Sequence, residues 1–224
     1  MRRTLLAVTT AATLALTGCG DGGTTPPGST AAPDCEEPPA LRSEVPTYTP
    51  QDLPAPHPGD AATVSAVVET NCGDLVVELD AAAAPQTVTS FLFLAGEGYW
   101  DDSPCHRLTT SGIYVLQCGD PTGTGRGNPG YGYGIENAPA DGAYPRGTVA
   151  MARTQDPNSN GGQFFIVHQD SELPTEGGGY SIVGRVTEGM DVVDLVASAG
   201  AQGGAADGPP AQPVSILSVD VGDR

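Results

Sequence analysis

The chain has 224 residues, enough for one substantial domain and some additional segments. Its 31 glycines and 21 prolines, with only 5% aromatic residues, favour short elements joined by turns over a helical bundle. A formal charge of −18 argues against nucleic-acid binding, and the absence of lysine excludes lysine Schiff-base chemistry and a lysine-dependent phosphate loop.

Residues 1–18 have the pattern of an export signal peptide. Arg2 and Arg3 precede an apolar run of roughly 12 residues, which is shorter than the about 20 residues needed to span a bilayer. Residues 16–19 (Leu-Thr-Gly-Cys) resemble a bacterial lipoprotein lipobox. The resemblance implies cleavage before Cys19, lipidation of its sulfur, and an extracytoplasmic protein that touches the bacterial cell membrane only through this lipid. The alternative is an ordinary signal peptide followed by a chance cysteine.

Residues 19–60 are rich in proline, glycine and threonine and show no hydrophobic periodicity. This composition is typical of a semi-extended tether between a membrane surface and a folded domain. The sequence therefore predicts three parts: a signal peptide over 1–18, a lipidated cysteine and tether over 19–60, and a folded domain over 61–224.

Periodic patterns within residues 61–224 predict a mainly β fold. Proline at position 85 suits the first turn of a helix over 85–95, and spaced apolar residues predict a second helix over 188–197. The segment 120–146 is a long Gly/Pro/Tyr-rich loop, a length that is usually functional or disordered. Strands are predicted at 63–70, 74–80, 105–109, 113–118, 147–152, 163–168, 181–186 and 214–221. Eight short strands and two helices in this order predict an eight-stranded antiparallel closed barrel capped by two α-helices.

Four cysteines remain beyond Cys19, and an even number in an exported chain favours disulfides. Four cysteines allow three connectivities. Cys105 and Cys118 flank a predicted hairpin and are expected to pair, which leaves Cys35 to join the tether to Cys72. A zinc site is the rival interpretation, but the chain has no C-x-x-C pair and its histidines lack ligand spacing. We therefore expect neither a metal nor a cofactor.

A glycine pattern in the long loop matches a nucleotide-binding motif. Residues 125–130 (Gly-Arg-Gly-Asn-Pro-Gly) fit G-x-G-x-x-G, which binds dinucleotides only between a strand and a helix. Pro129 and the Tyr-Gly-Tyr-Gly run that follows it disfavour a helix start. The match is therefore expected by chance in a chain with 31 glycines.

Two segments about 55 residues apart supply the side chains of a candidate site. One carries Arg107 and Gln117, and the other carries Gln163 and Phe165. A fixed cation, two amides and an aromatic ring suit a reaction that needs shape and hydrogen bonds rather than proton or electron transfer. Rotation about an X-Pro peptide bond is such a reaction, because its barrier of about 18–20 kcal/mol arises from amide resonance. A guanidinium that donates to the twisted amide would stabilise the transition state.

Several blocks in order resemble the cyclophilin-type peptidyl-prolyl isomerases, over about residues 61–221. They are His-Arg at 106–107, Val-Leu-Gln-x-Gly-Asp at 115–120, Gly-Thr-Val-Ala-Met-Ala at 147–152, Asn-Ser-Asn-Gly-Gly-Gln-Phe-Phe-Ile at 158–166 and Val-Gly-Arg-Val-x-Glu-Gly at 183–189. The resemblance implies that Arg107 is the catalytic guanidinium, Gln117 orients the substrate backbone and Phe165 forms the floor of the proline pocket. It implies further substrate contacts from Tyr114, Val115, Ala152, Arg153, Gln163, Leu173 and Tyr180.

The chain also departs from the family pattern. Cys105 replaces the usual phenylalanine before His-Arg, and Gly162 stands where serine is common. The segment 109–113 is about two residues longer than the pattern. The alignment of Tyr114 and Val115 with the family pattern depends on where these extra residues are placed. Leu173 replaces an aromatic residue. The loss of that aromatic ring argues against strong cyclosporin binding.

The resemblance implies an isomerase that accelerates rotation about X-Pro bonds while exported proteins fold. Its partners would be proline-containing peptides and unfolded exported proteins, and the chain is expected to act as a monomer without nucleic acid. One alternative is a proline-peptide-binding chaperone or adaptor lipoprotein with little turnover. A solute-binding lipoprotein is a further alternative, but it would normally need a larger, two-lobed chain.

Overall fold

The computed structural model describes residues 34–56 and 62–222. The predicted signal peptide, Cys19 and the first part of the predicted tether lie outside these residues. Neither helix of the described part has the length and hydropathy needed to cross a membrane. The helices are α1 (Pro85–Gly96) and α2 (Met190–Ala199). The strands are β1 (Val64–Thr70), β2 (Gly73–Leu79), β3 (Ser103–Pro104), β4 (Arg107–Thr109), β5 (Val115–Cys118), β6 (Ala143–Tyr144), β7 (Thr148–Met151), β8 (Phe164–Val167), β9 (Ser171–Glu172), β10 (Ile182–Glu188), β11 (Asp207–Gly208) and β12 (Ser215–Val221).

One curled antiparallel sheet contains ten of the strands described, in the order β11-β4-β5-β8-β7-β10-β2-β1-β12-β3. The fold is thus mainly β with two helices, as predicted, but the sheet has ten strands and two ends where the sequence predicted eight strands in a closed barrel. The reason is that β3 and β11 have two residues each, too few to show an alternating pattern. Proline limits the ladder at both ends, because Pro104 lies in β3, Pro209 follows β11, and neither has an N–H to donate.

The two faces of the sheet bury two different clusters. Leu108, Leu116 and Ile166 belong to the main core, together with Phe91 and Leu94 of helix α1. Residues that alternate with them along the same strands turn to the opposite face, because successive side chains of a strand point to opposite sides. A second, smaller cluster forms there from Val115, Tyr144, Ala150, Phe165, Val167 and Leu173.

Both predicted disulfides are confirmed. Cys105 is bonded to Cys118 and Cys35 is bonded to Cys72. The thiols that a zinc site would have needed are therefore engaged in covalent bonds. The Cys105–Cys118 bond is buried and ties the segment that leads into β4 to the end of β5.

Residues 34–56, which we call the arm, belong to the predicted tether and pack on the domain. The disulfide fastens one end, and the Glu36 N–H donates to the carbonyl of Asn71 at 2.7 Å. Towards the other end, Val45, Tyr48 and Leu53 pack against the main core. Composition alone predicts an extended chain for this segment. It does not indicate that the few apolar residues of the segment pack against the main core.

Candidate active site

Strand register places the central side chains in one row. Arg107 on β4 lies opposite Gln117 on β5, and Gln117 lies opposite Phe165 on β8. Residues directly opposite each other in an antiparallel ladder project from the same face of the sheet. All three side chains therefore project from the face that carries the smaller cluster. Phe164, the neighbour of Phe165, turns to the main core.

A cavity of about 470 Å³ opens over this row. Phe165, Val115 and Leu173 line it as buried apolar surface, whereas Arg107 lies at its side with a partly exposed guanidinium. The ring of Tyr180 meets the ring of Phe165 edge to face at 5.7 Å between centroids. The remaining lining residues are His106, Ile113, Gln117, Thr124, Gly125, Ala152, Arg153, Asp207, Gly208 and Pro209.

Tyr114 is not among the lining residues, which corrects the expectation that its ring shares the pocket. Its ring packs edge to face on His168 at 5.8 Å, and its backbone N–H donates to Ser171. Val115 faces the cavity, so its direct neighbour Tyr114 points away and Ile113, two residues before Val115, returns to the cavity side. Val115 thus keeps the position that the resemblance implies, and Ile113 rather than Tyr114 accompanies it in the cavity lining.

Asp207 holds the guanidinium of Arg107 by two parallel hydrogen bonds. Nε and Nη2 of Arg107 donate to Oδ1 and Oδ2 of Asp207, each at 2.8 Å. The hydrogen bonds from Arg107 lower the pKa of Asp207, and the same pair raises the pKa of Arg107. The side chains are 37% and 55% exposed, so the pair contributes little to stability, and its main effect is to fix the direction of the guanidinium.

A chain of amides continues from the other side of Arg107. Its Nη1 donates to Oε1 of Gln117 at 3.2 Å, Nε2 of Gln117 donates to Oε1 of Gln163 at 2.9 Å, and Nε2 of Gln163 donates to the carbonyl of Gly127 at 2.8 Å. A guanidinium can only donate and a carbonyl can only accept, so the two ends of the chain determine the orientation of both amides. Within the part of the chain that the structure describes, three of the five N–H groups of Arg107 are thereby engaged, and one on each of Nη1 and Nη2 remains.

A second cavity of about 310 Å³ adjoins the first, and Gln117, Gly125, Ala152 and Arg153 line both. Gln163 lies in the second cavity, as do Ser159 and residues 161–162. Its other wall is residues 125–128 of the segment 120–131, which we call the rim loop. The G-x-G-x-x-G match thus forms part of a groove wall, and no helix follows it.

The carboxylate of Asp120 organises the start of the rim loop. It accepts five hydrogen bonds, from the backbone N–H and hydroxyl of Thr122, the hydroxyl of Thr124, and the backbone N–H groups of Arg126 and Gly127. Burial by itself would raise the pKa of Asp120, but these hydrogen bonds outweigh it and lower the pKa. Position 127 requires glycine, because a Cβ there would overlap this carboxylate.

The far wall of the cavity is held by tyrosine and arginine. The hydroxyl of Tyr144 donates to the carbonyl of Tyr180 at 2.9 Å and accepts from its N–H at 2.8 Å. The guanidinium of Arg153 lies 5.0 Å from the ring centroid of Tyr180 and donates to the carbonyl of Gly179. Tyr180 is therefore fixed at the backbone and at the ring.

His106 contributes shape rather than a proton to the site. Burial lowers its pKa, so the ring is neutral at pH 7. Both ring nitrogens are buried without a hydrogen-bond partner within the described residues. The ring lies against Gly125 of the rim loop.

The family model described as cyclophilin type peptidyl-prolyl cis-trans isomerase/CLD matches residues 65–221. The chain belongs to this family. Arg107, Gln117, Gln163 and Phe165 all lie within the part that matches the cyclophilin-type model, whereas the arm precedes it.

Similar proteins include two that are named probable peptidyl-prolyl cis-trans isomerase B. The protein of Mycobacterium leprae is 44% identical over 176 residues, covering 72% of this chain and 58% of that protein. The protein of Mycobacterium tuberculosis is 40% identical over 210 residues, covering 86% of this chain and 65% of that protein. The chain thus spans less than two thirds of the length of either relative.

Solved cyclophilin-type structures share the fold. A crystal structure of a cyclophilin-type isomerase from Cryptosporidium parvum has a TM-score of 0.61 and 29% identity, covering 72% of this chain and 99% of that one. The structure of the same protein in the presence of the dipeptide Ala-Pro has a TM-score of 0.60 and 30% identity, with 71% and 99% coverage.

Sequence reasoning missed two contributors to the cyclophilin-type site. Ile113 lies in the segment 109–113, where the chain departs from the family pattern, so the resemblance assigns it no role. Asp207 lies in the segment 200–212, which is rich in glycine, alanine and proline and has no hydrophobic periodicity. The available signal was that Asp207 is the single charged residue of that segment.

Asp120→Asn is expected to lower the free energy of unfolding at pH 7 by about 1.5–3 kcal/mol, the range for hydrogen bonds to a charged group. The pKa of Asp120 is lower in the folded state than the ordinary value of about 3.9, so its contribution is complete above that value and is lost as the pH falls through the folded pKa. Urea unfolding of both proteins between pH 7 and pH 2.5 should show their stabilities converging at low pH. Asp191→Asn, at an exposed position of α2, is the control; a constant difference across the range would contradict the assignment.

Proposed function

We propose that the chain is a peptidyl-prolyl cis-trans isomerase that acts at the cavity over Phe165. The observation that carries the proposal is a guanidinium held on two sides, by Asp207 and Gln117, with two N–H groups left at the edge of an apolar cavity. Membership of the cyclophilin-type family supports the same activity.

The apolar surface of Phe165, Val115 and Leu173 suits a proline ring, which would be held while the rest of the peptide rotates. As the X-Pro bond twists, amide resonance is lost and the prolyl nitrogen regains its lone pair. The free N–H groups of Arg107 then donate to that nitrogen or to the neighbouring carbonyl oxygen. This stabilises the twisted state more than the planar one, which is what lowers the barrier.

Residues before the proline would occupy the second cavity. The cavity adjoins the first one, and Gln163 and residues 125–128 and 152–154 line it. This polar lining offers hydrogen-bonding partners to an extended peptide.

Arg107→Ala should lower kcat/KM for cis-to-trans conversion of an X-Pro peptide by about two orders of magnitude, comparable to the loss of one transition-state donor elsewhere. Arg107→Lys should recover little, because an ammonium cannot replace the planar fork. Arg185→Ala is the matched control, since Arg185 also pairs with a carboxylate but is largely exposed outside the site. The measurement is a peptide isomerisation assay with the oxidised, folded chain.

Equal rates for wild type and Arg107→Ala, both above the uncatalysed rate, would overturn the guanidinium mechanism while leaving the isomerase activity. Binding of a proline peptide without any acceleration by the wild type would favour the peptide-binding chaperone or adaptor.

Asp207→Ala should lower kcat/KM by about one order of magnitude, because a guanidinium held on one side only samples orientations away from the substrate. For an uncharged peptide, the activity of the wild type should fall with rising salt, which weakens exposed ion pairs, whereas the variant should respond less. Asp194→Ala is the matched control, since it breaks a similar bidentate pair with Arg146. A variant faster than the wild type would mean that the carboxylate instead sequesters Arg107.

We infer further that the protein works outside the cytoplasm as a monomer, anchored to the bacterial cell membrane by lipidated Cys19, on exported proteins. The lipobox-like residues 16–19 and two disulfides within the described part of the chain support an exported location. Cys19→Ala should move the full-length protein, expressed in a bacterium with lipoprotein processing, from the membrane fraction to the soluble extracytoplasmic fraction. Retention of the variant in the membrane fraction would contradict lipid anchoring.

A further inference from the structure

The arm contacts the rim loop at two points. Near the start of the loop, Leu41 lies against Gly123, where a Cβ would be 3.6 Å from its side chain. Near the end, Tyr48 contacts residues 129–130. The stretch between these points, 124–128, is the stretch that lines the two cavities.

The Tyr48 contact is built from backbone and ring together. Its N–H donates to the carbonyl of Pro129 at 2.7 Å. Its own carbonyl oxygen occupies the space that a Cβ on Gly130 would take, and Gly130 has a φ of +106° that favours glycine. The ring of Tyr48 packs near Phe93 and Tyr131, with centroids 5.1 and 6.3 Å away. Tyr48 thus joins the end of the rim loop to helix α1.

The arm itself is anchored away from the rim loop. The Cys35–Cys72 disulfide and the hydrogen bonds between Glu36 and Asn71 hold its beginning. Towards its end, Nε2 of Gln86 donates to the carbonyl of Pro54 at 2.9 Å. The arm is therefore a strap fixed at both ends, and the rim loop lies under its middle.

The rim loop has little regular structure to hold it. It forms no helix or multi-residue strand, and it includes Gly123, Gly125, Gly127 and Gly130. Glycine leaves the backbone free to adopt many conformations unless contacts restrict it. Hydrogen bonds to Asp120 restrict the loop as far as Gly127, and beyond Gly127 its end is restricted by the contacts to the arm and by Tyr131, whose hydroxyl shares a hydrogen bond with Ser90.

We propose that the arm is a positioning element of the active site, which holds the rim loop so that Gly127 meets Gln163 and the groove for residues before proline stays formed. The carbonyl of Gly127 ends the amide chain that leads to Arg107, so movement of the loop would also loosen Gln163 and Gln117. The docked arm already orders the loop, so peptide binding does not have to offset the conformational entropy lost on ordering it. The consequence for activity rests on the proposed isomerase function, whereas the ordering of the loop does not.

The test compares Tyr48→Ala, Leu41→Ala and the double variant Cys35→Ser/Cys72→Ser with wild type in the full chain. Amide hydrogen exchange of residues 121–130 should accelerate at least tenfold in Tyr48→Ala and in the disulfide variant, and less in Leu41→Ala. Tyr48→Phe keeps the ring and the backbone hydrogen bond and should retain protection. Asp194→Ala, whose ion pair with Arg146 lies outside the arm and the rim loop, controls for a general loss of stability. Leu41 is 54% exposed, so its replacement leaves the core intact.

In peptide assays the same variants should raise KM severalfold with a smaller change in kcat, and the effect should grow for peptides with more residues before proline. Unchanged exchange of residues 121–130 in folded Tyr48→Ala would overturn the proposal and would leave the arm as a cover for the core. Faster exchange of those residues without any change in KM would show an ordered loop that binding does not use, and would also overturn it. A wild type without isomerase activity would defeat the proposed function alone, because exchange of the rim loop would still decide the role of the arm.

Discussion

The orientation of one guanidinium governs the arrangement of the whole site. Arg107 is a donor-only group with five N–H bonds, and the protein engages three of them with Asp207 and Gln117. Arg107 also lines the apolar cavity, where its other two N–H bonds can serve a bound peptide. Because each amide accepts on one side and donates on the other, the constraint passes through Gln163 to the carbonyl of Gly127 and connects the two cavities.

The curled sheet makes this arrangement possible by having two different faces. Its inner face packs Phe164 and its neighbours into the main core, which gives the strands a rigid backing. Its outer face carries Phe165 beside Gln117 and Arg107, so polar and apolar groups keep a constant spacing set by the strand register. A reaction that needs shape and fixed donors, and no proton transfer, is well served by side chains on strands.

Loops and a two-residue strand supply the parts of the site that the longer strands do not provide. Asp207 comes from a two-residue strand 100 residues after Arg107, at the end of the sheet. The rim loop closes the groove between Asp120 and the arm, and the arm lies outside the part of the chain that matches the family. The two disulfides flank these regions, one beside Arg107 and one at the beginning of the arm. Covalent and polar restraints thus lie where the sheet gives least support.

The amino-acid sequence by itself determined the features that depend on local pattern. Alternation predicted most strands and the opposite directions of Phe164 and Phe165, and cysteine placement predicted both disulfides. The tertiary structure alone decided the contacts that bring distant or short segments together. These are the ten-strand ladder, the pairing of Asp207 with Arg107, the docking of the arm, and the exchange of Tyr114 for Ile113 at the cavity. The physical reason is that periodicity reports which face a residue shares with its neighbours, whereas a two-residue strand or a glycine-rich loop has no period and takes its place only from its tertiary contacts.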